Sequence, residues 1–374
     1  MKNTTITAIS LCFLSSLTNA EILSVTLDTG YDSNPFQLSE LHPIESDSFI
    51  ETRVKYRQRF DTGFYLIGNL KSSFYLGAVD EANKTRFNFG GGFKGRYKFF
   101  RKKSRYKFEI RHYQYDKTYV SRTTGQIATF SGVEIADRYD SNWMNLKGST
   151  EVILNKSFEF EVAFQYKVKS YEDFTTLGLS NLDYSQNFVE TRLIYNTDKE
   201  NRFRFGAETG QRVYDNRLAN QLDGTIIPLS NLEYQFQRYS FEYRNKKGKA
   251  TGSFGFDAEL REDNGGGFYD TVRSSAFTKY KYKKKSGSFI SAKLSYINSS
   301  FDNSIPLGLV QNDEEIRSKE GLAFDLEYMR NLIDFGYPDF FFHLKYSYED
   351  FDNADPFYIY DQSLFQVGVK WHAY

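Results

Sequence analysis

From residue 22 to residue 373 the chain alternates apolar and polar residues one for one, in stretches about twice as long as the 5 or 6 residues of an ordinary strand. In one such stretch Phe87, Phe89, Gly91, Phe93, Gly95, Tyr97 and Phe99 share a face. Arg86, Asn88, Gly90, Gly92, Lys94, Arg96 and Lys98 share the other. A side-chain period of two marks a β-strand. Long strands with one apolar face fit a bilayer only in a closed sheet, because a free edge in hydrocarbon would leave backbone N–H and C=O groups without partners. The pattern predicts an all-β chain, a transmembrane up-and-down antiparallel β-barrel with an apolar outer face and a polar inner one.

Composition supports this and excludes other classes. Charged residues make up 26% of the chain and the mean hydropathy is −0.58, values too polar for a bundle of membrane helices. Such helices need apolar runs of about 20 residues, which are absent beyond the first twenty positions. The 29 Tyr and 36 Phe suit aromatic girdles at two membrane interfaces, where an apolar ring meets water at its tip. A soluble sandwich or soluble barrel would have shorter strands and an apolar face richer in Val, Ile and Leu.

Residues 1–20 have the form of a signal peptide: Lys2, an apolar segment from Ile6 to Leu17, and a small-residue cleavage site at Thr18-Asn19-Ala20. The exported chain, 21–374, is expected to start near Glu21 and to be one outer-membrane barrel of a Gram-negative bacterium. Cys12, the one cysteine, would leave with the signal. A lipidated Cys12 is disfavoured, since Leu11 stands where a small residue is needed. No disulfide is then available, and a closed barrel needs none.

Strands are read near 22–30, 47–60, 63–78, 85–100, 104–119, 138–154, 157–171, 184–196, 201–214, 233–245, 249–262, 268–283, 287–301, 320–331, 338–350 and 359–373, about sixteen in all. Tight connectors at 61–63, 101–103, 155–157, 197–200, 246–248 and 284–287 are rich in turn formers or charge. They alternate with longer ones at 31–46, 120–137, 172–183, 215–232 and 302–319, while 79–84 and 263–267 are short. The alternation predicts tight turns and both termini on the periplasmic side and long loops outside. Sixteen strands enclose enough space for water, and the loops 31–46, 120–137, 215–232 and 302–319 are long enough to fold inward and narrow it.

The inner face carries the first indication of function. Arg53, Lys55, Arg57, Arg59, Arg86, Lys94, Arg96, Lys98, Lys107 and Arg111, with Lys71, form a basic stripe over the first third of the wall, opposed there by Glu51 and Glu109. Later strands mix signs, as in Glu159, Glu161, Lys167 and Lys169, or Arg202, Arg204, Glu208 and Arg212. With 48 Lys+Arg and 48 Asp+Glu the chain is neutral overall, so the asymmetry is one of placement. A basic stripe in a water-filled lumen would concentrate anions. The alternative is a set of Arg and Glu ladders that hold the barrel's shape and carry nothing.

Other chemistry finds little support. An outer-membrane hydrolase would need a Ser, a His and a polar orienter on the outer face near the membrane boundary. His112 shares its face with Tyr106, Phe108 and Ile110, but no Ser stands at an evident spacing, so no enzyme is expected. Metal clusters of His and Cys, glycine-rich phosphate loops and nucleic-acid motifs are absent from the sequence. No cofactor, metal or nucleic-acid partner is expected. Asn264-Gly265-Gly266-Gly267 is read as a flexible hairpin tip.

Gly30-Tyr31-Asp32-Ser33-Asn34-Pro35-Phe36 resembles the Tyr-Asp-Ser-Asn segment near the start of outer-membrane barrels associated with exopolysaccharide export, and of the barrel part of surface lipoprotein assembly modulators. The resemblance implies movement of a polymer or a lipoprotein to the cell surface. The second family also carries an N-terminal tetratricopeptide domain, which this sequence lacks. Tyr31, Asp32, Ser33 and Asn34 also suit a plain turn, because Asp and Asn side chains bond the nearby backbone and Pro35 fixes its φ. An Asp-x-Asn calcium site is disfavoured, as no EF-hand spacing follows. At the other end, Phe365, Val367, Val369, Trp371 and Ala373 resemble the aromatic-rich last strand by which the barrel assembly machinery recognises its clients, with Tyr374 one residue out of step. Lipid and lipopolysaccharide would be the other contacts. These readings favour an outer-membrane pore or export barrel passing an anionic solute or an anionic exopolysaccharide. The competing reading is a surface-assembly or adhesion barrel that works through its loops.

Overall fold

Each strand of the barrel pairs with the barrel strand before and after it in sequence, and the last returns to pair with the first. The computed structural model describes residues 22–77, 82–99, 102–301 and 318–373, and shows a closed barrel of sixteen antiparallel strands. The first eight are β1 (Ile22–Asp32), β2 (Asp47–Arg59), β3 (Phe64–Tyr75), β4 (Lys84–Phe99), β5 (Lys102–Lys117), β6 (Ser141–Ile153), β7 (Phe158–Tyr171) and β8 (Tyr184–Asn196). The second eight are β9 (Asn201–Asn220), β10 (Ile226–Lys247), β11 (Ala250–Asp263), β12 (Thr271–Lys283), β13 (Phe289–Phe301), β14 (Ser318–Leu332), β15 (Tyr337–Asn353) and β16 (Tyr360–His372). Closure runs from Ser24 opposite His372 to Asp32 opposite Leu364, which leaves no sheet edge. No helix among the described residues is long and apolar enough to cross a membrane. The predicted signal segment 1–20, the connector residue Arg101 and loop residues 302–317 lie outside the described residues.

The period of two sorts side chains as the alternation predicts. Leu27, Phe74, Phe93, Met144, Val189 and Tyr239 are exposed on the outer face, the arrangement expected of a surface that lipid covers. Asp28, Glu51, Glu109 and Gln366 are buried on the inner face. One end of the barrel has short turns. At Asp61-Thr62-Gly63 the Gly63 N–H bonds the Phe60 carbonyl with φ at 86°, a left-handed conformation that glycine adopts without strain. Asp198, in the 197–200 turn, accepts hydrogen bonds from the Asn201 side chain and from the Glu200 and Asn201 N–H groups. These bonds hold its carboxyl below the usual carboxylate range.

The long-loop end departs from expectation in two places. The predicted loop 215–232 is mostly strand, because β9 and β10 continue as a hairpin past the other strands. Register shifts between Val213 and Leu218 and between Leu218 and Asn220 break the alternation, and Ala219 and Leu232 are buried against Tyr214 and Tyr234. The run 264–267 is not a loose tip. The Asp263 carboxylate accepts from the N–H groups of Gly265, Gly267 and Tyr269.

Two other connections converge over the lumen. The 33–46 and 118–140 loops meet where His42 Nε2 lies 2.7 Å from the Arg122 carbonyl, and the His42 ring stacks on Phe357 at 5.9 Å. Arg122 lies over Tyr358 and Tyr360, at 5.0 and 5.4 Å from the ring centres. The loop that leaves β5 therefore reaches the turn before β16, five strands away round the ring. The long-loop mouth is narrowed.

Candidate functional site: the lumen wall

The basic stripe lies on the inner wall of β2 to β5, but part of it is neutralised. Glu51 pairs with Arg53 and, at 2.9 Å, with Lys71. Arg53 also reaches Asp28 at 3.3 Å and donates to Gln366 at 3.2 Å. Glu109 holds Lys107 at 3.0 Å and Arg111 at 2.7 Å, and accepts from the Tyr65 hydroxyl at 2.8 Å. Arg86 lies over the Tyr115 ring at 4.5 Å and Arg57 over Tyr65 at 5.8 Å. Lys55, Arg59, Lys94, Arg96 and Lys98 occupy inner-face positions toward the short-turn end, by the same alternation.

From β7 to β11 the wall is a ladder of opposite charges. Arg192 pairs with Glu161 at 3.2 Å and with Glu190. Arg202 lies 3.5 Å from Glu159, and Arg204 2.7 Å from Glu242. Arg238 bridges Glu208, at 3.0 Å, and Glu259. Between stripe and ladder lies a recess of about 250 Å³ lined by Lys107, Glu109, Lys147, Glu161, Glu190 and Glu208 among others. At that level the basic groups of the stripe stand beside an acid-rich, ion-paired wall.

A further network joins residues that the sequence alone does not connect. His343 is buried on β15, with Nδ1 3.1 Å from Asp28 of β1 and Nε2 3.4 Å from Glu327 of β14. Asp28 and His343 are both in register with Gly368, on the intervening strand β16. A Cβ at Gly368 would lie 2.3 Å from the Asp28 carboxylate and 2.1 Å from the Leu27 carbonyl, so only glycine lets the two side chains meet across the strand. Gly92 does the same on β4. It stands in register between Tyr65 and Glu109, and a Cβ there would come 2.8 Å from the Tyr65 hydroxyl.

The Tyr31–Asn34 segment is a clamp. Tyr31 faces outward and is exposed, whereas Asp32 and Asn34 are buried. Asp32 accepts from Asn34 N–H, Tyr75 hydroxyl and Gln362 amide at 3.1, 2.8 and 2.7 Å. Asn34 donates to the carbonyls of Leu38 and Asp361 and accepts from the Leu38 N–H. Among the described residues no group of His, Cys, Asp and Glu could hold a metal. His112 is exposed on the outer face, in register with Phe89 and Met144.

Together these features define a closed sixteen-stranded antiparallel β-barrel with a charged inner wall. Among solved structures the fold is similar to OccAB2 of Acinetobacter baumannii, at a TM-score of 0.50 and 12% identity, covering 96% of this chain and 99% of that one. It is also similar to OccK8 (OprE) of Pseudomonas aeruginosa, at 0.48 and 11%, covering 94% and 98%. A loop L8 deletion mutant of OmpT, an outer membrane protein of Vibrio cholerae, aligns at 0.43 and 11%, covering 95% and 99%. At these identities the likeness is one of fold. Neither family models nor curated proteins match the chain.

Proposed function

We propose that the barrel is an outer-membrane channel, not an enzyme, and that it passes small anionic solutes, with its long loops outside the cell. The observation that carries this is the charge asymmetry of the inner wall. From β2 to β5, only Asp47, Glu51 and Glu109 oppose the stripe on the inner face, and Glu51 and Glu109 are already paired. Basic groups lining a water-filled passage raise the local anion concentration. The meeting of the 33–46 and 118–140 loops favours a small solute over a polymer, because a sugar chain would have to thread past the contacts of His42 and Arg122. In a planar bilayer under a salt gradient, the purified barrel is expected to be anion-selective, with a preference that fades as salt screens the wall. Reversing Arg57 and Arg96 to Glu moves the reversal potential toward cations. A folded barrel with no conductance, or a selectivity untouched by the reversals, would refute this reading.

A further inference from the structure

Toward the long-loop end, strand register sets two adjacent inner rows. One contains Trp143, Lys169 and Tyr184; the next contains Asn145, Lys167, Gln186 and Arg212. Trp143 lies flat on Tyr113, 4.8 Å between centres and 3° between planes. Lys167 and Lys169 stand 5.7 and 5.1 Å from the Trp143 ring centre. Lys167 and Arg212 stand 5.1 and 4.5 Å from that of Tyr184. Three cations therefore share two neighbouring rings.

Their polar partners are all neutral. Lys167 donates to the Tyr184 hydroxyl at 2.8 Å, and Arg212 Nε donates to the Gln186 amide oxygen at 3.0 Å. Most of the arginines of the neighbouring ladder are paired with carboxylates, yet among the described residues no carboxylate pairs with these three cations. Crowding like charges against rings and amides is costly unless an anion joins them. The buried Asn145 side-chain oxygen has no hydrogen-bond donor among the described residues, which leaves an acceptor for a ligand hydroxyl.

We infer that this tier is a binding site for a sugar phosphate: Lys167, Lys169 and Arg212 hold the phosphate, and Asn145 and Gln186 bond the hydroxyls. Three cations leave excess positive charge beside a single carboxylate, whereas a phosphate dianion offsets more of it and fits the planar guanidinium fork. The inference rests on the proposed reading only in needing solute to enter the long-loop mouth.

Trp143 and Trp371 are the only tryptophans, and Trp371 faces outward on β16, so W371F makes Trp143 the sole reporter. In the refolded full chain held in detergent, glucose-6-phosphate at constant ionic strength is expected to give a saturable change in Trp143 emission. Glucose gives none and glucuronate binds more weakly. The K167Q/K169Q double variant and, separately, R212Q each lower affinity by about tenfold or more, the scale of losing a charge-assisted hydrogen bond. Heat-modifiable gel mobility checks that each variant folds. Absence of a saturable change, an equal response to glucose or glucuronate, or undiminished binding in both folded variants would overturn the assignment. A barrel that conducts anions but does not bind sugar phosphate defeats this inference alone, and one that binds but does not conduct defeats the channel.

Discussion

Substituting Phe93 by Arg separates the outer face from the inner one within two adjacent residues. Phe93 is in register with Phe64, the first residue of β3, and the Lys94 N–H bonds the Gly63 carbonyl in the 61–63 turn, so Phe93 lies on the short-turn side of the apolar band. An outward Arg costs about 2 to 4 kcal/mol at the midplane and about 0 to 1 at the boundary, which makes about 1 to 2 kcal/mol the expected cost at this level. The substitution also removes the contact with Phe64, 5.1 Å between ring centres. An aromatic pair is worth ~0.5–1.5 kcal/mol beyond its buried area, which brings the expected total to about 1.5 to 3.5 kcal/mol. Urea titration of folding into lipid vesicles, read by heat-modifiable mobility, measures this difference. Phe93→Ala reports the packing part alone, and Lys94→Arg, one residue on and facing the lumen, leaves the transition in place. Equal shifts for Phe93→Arg and Lys94→Arg would refute the assigned facing.

Two further substitutions test the inner wall and the clamp. Gly368→Val drives a side chain into the Asp28 carboxylate and the Leu27 carbonyl, and the urea midpoint is expected to fall by the equivalent of about 1 to 3 kcal/mol. Gly252→Ala, with nothing within 4 Å of the added carbon, serves as the control, and an equal fall there would remove the steric argument. Asn34→Ala deletes the three hydrogen bonds that tie residue 34 to Leu38 and Asp361, so limited proteolysis should cut faster within 35–46 while the barrel stays heat-modifiable. Unchanged cleavage would show that the clamp does not hold the loop.

Strand number and the alternation of faces were legible in the sequence because each depends only on a period of two. The stretch from Val213 to Asn220 was not, because bulges there shift the register and the alternation lapses although pairing continues. The Asp28, His343 and Glu327 network was hidden for another reason. Its members lie on β1, β15 and β14, far apart in sequence, and meet through barrel closure and the absence of a side chain at Gly368. A glycine on an inner-face position with polar residues in register on both neighbouring strands is the signal that could have found it, and Gly92 between Tyr65 and Glu109 repeats the pattern. Asp32 and Asn34 could be read as a turn from their residue types, whereas the meeting of His42, Arg122 and Phe357 depends on loop paths that no local pattern encodes.

In the proposed channel the paired charges decide where selectivity should reside. At mid-height Glu51 and Glu109 each hold two cations of the stripe, and from β7 to β11 Arg192, Arg202, Arg204 and Arg238 each have a carboxylate, so those levels carry local dipoles more than net charge. Basic residues outnumber acidic ones at two other levels. One is the inner face near the short-turn end, where Lys55, Arg59, Lys94, Arg96 and Lys98 lie with no acidic residue between Arg53 and Arg59 or between Arg86 and Lys98 on that face. The other is the tier of Lys167, Lys169 and Arg212. An anion entering at the long-loop mouth would meet the second level first, cross a neutral ladder, and leave past the first. Two attractive levels separated by a neutral one permit entry without a single deep trap, which is the condition for a solute to bind and still move on.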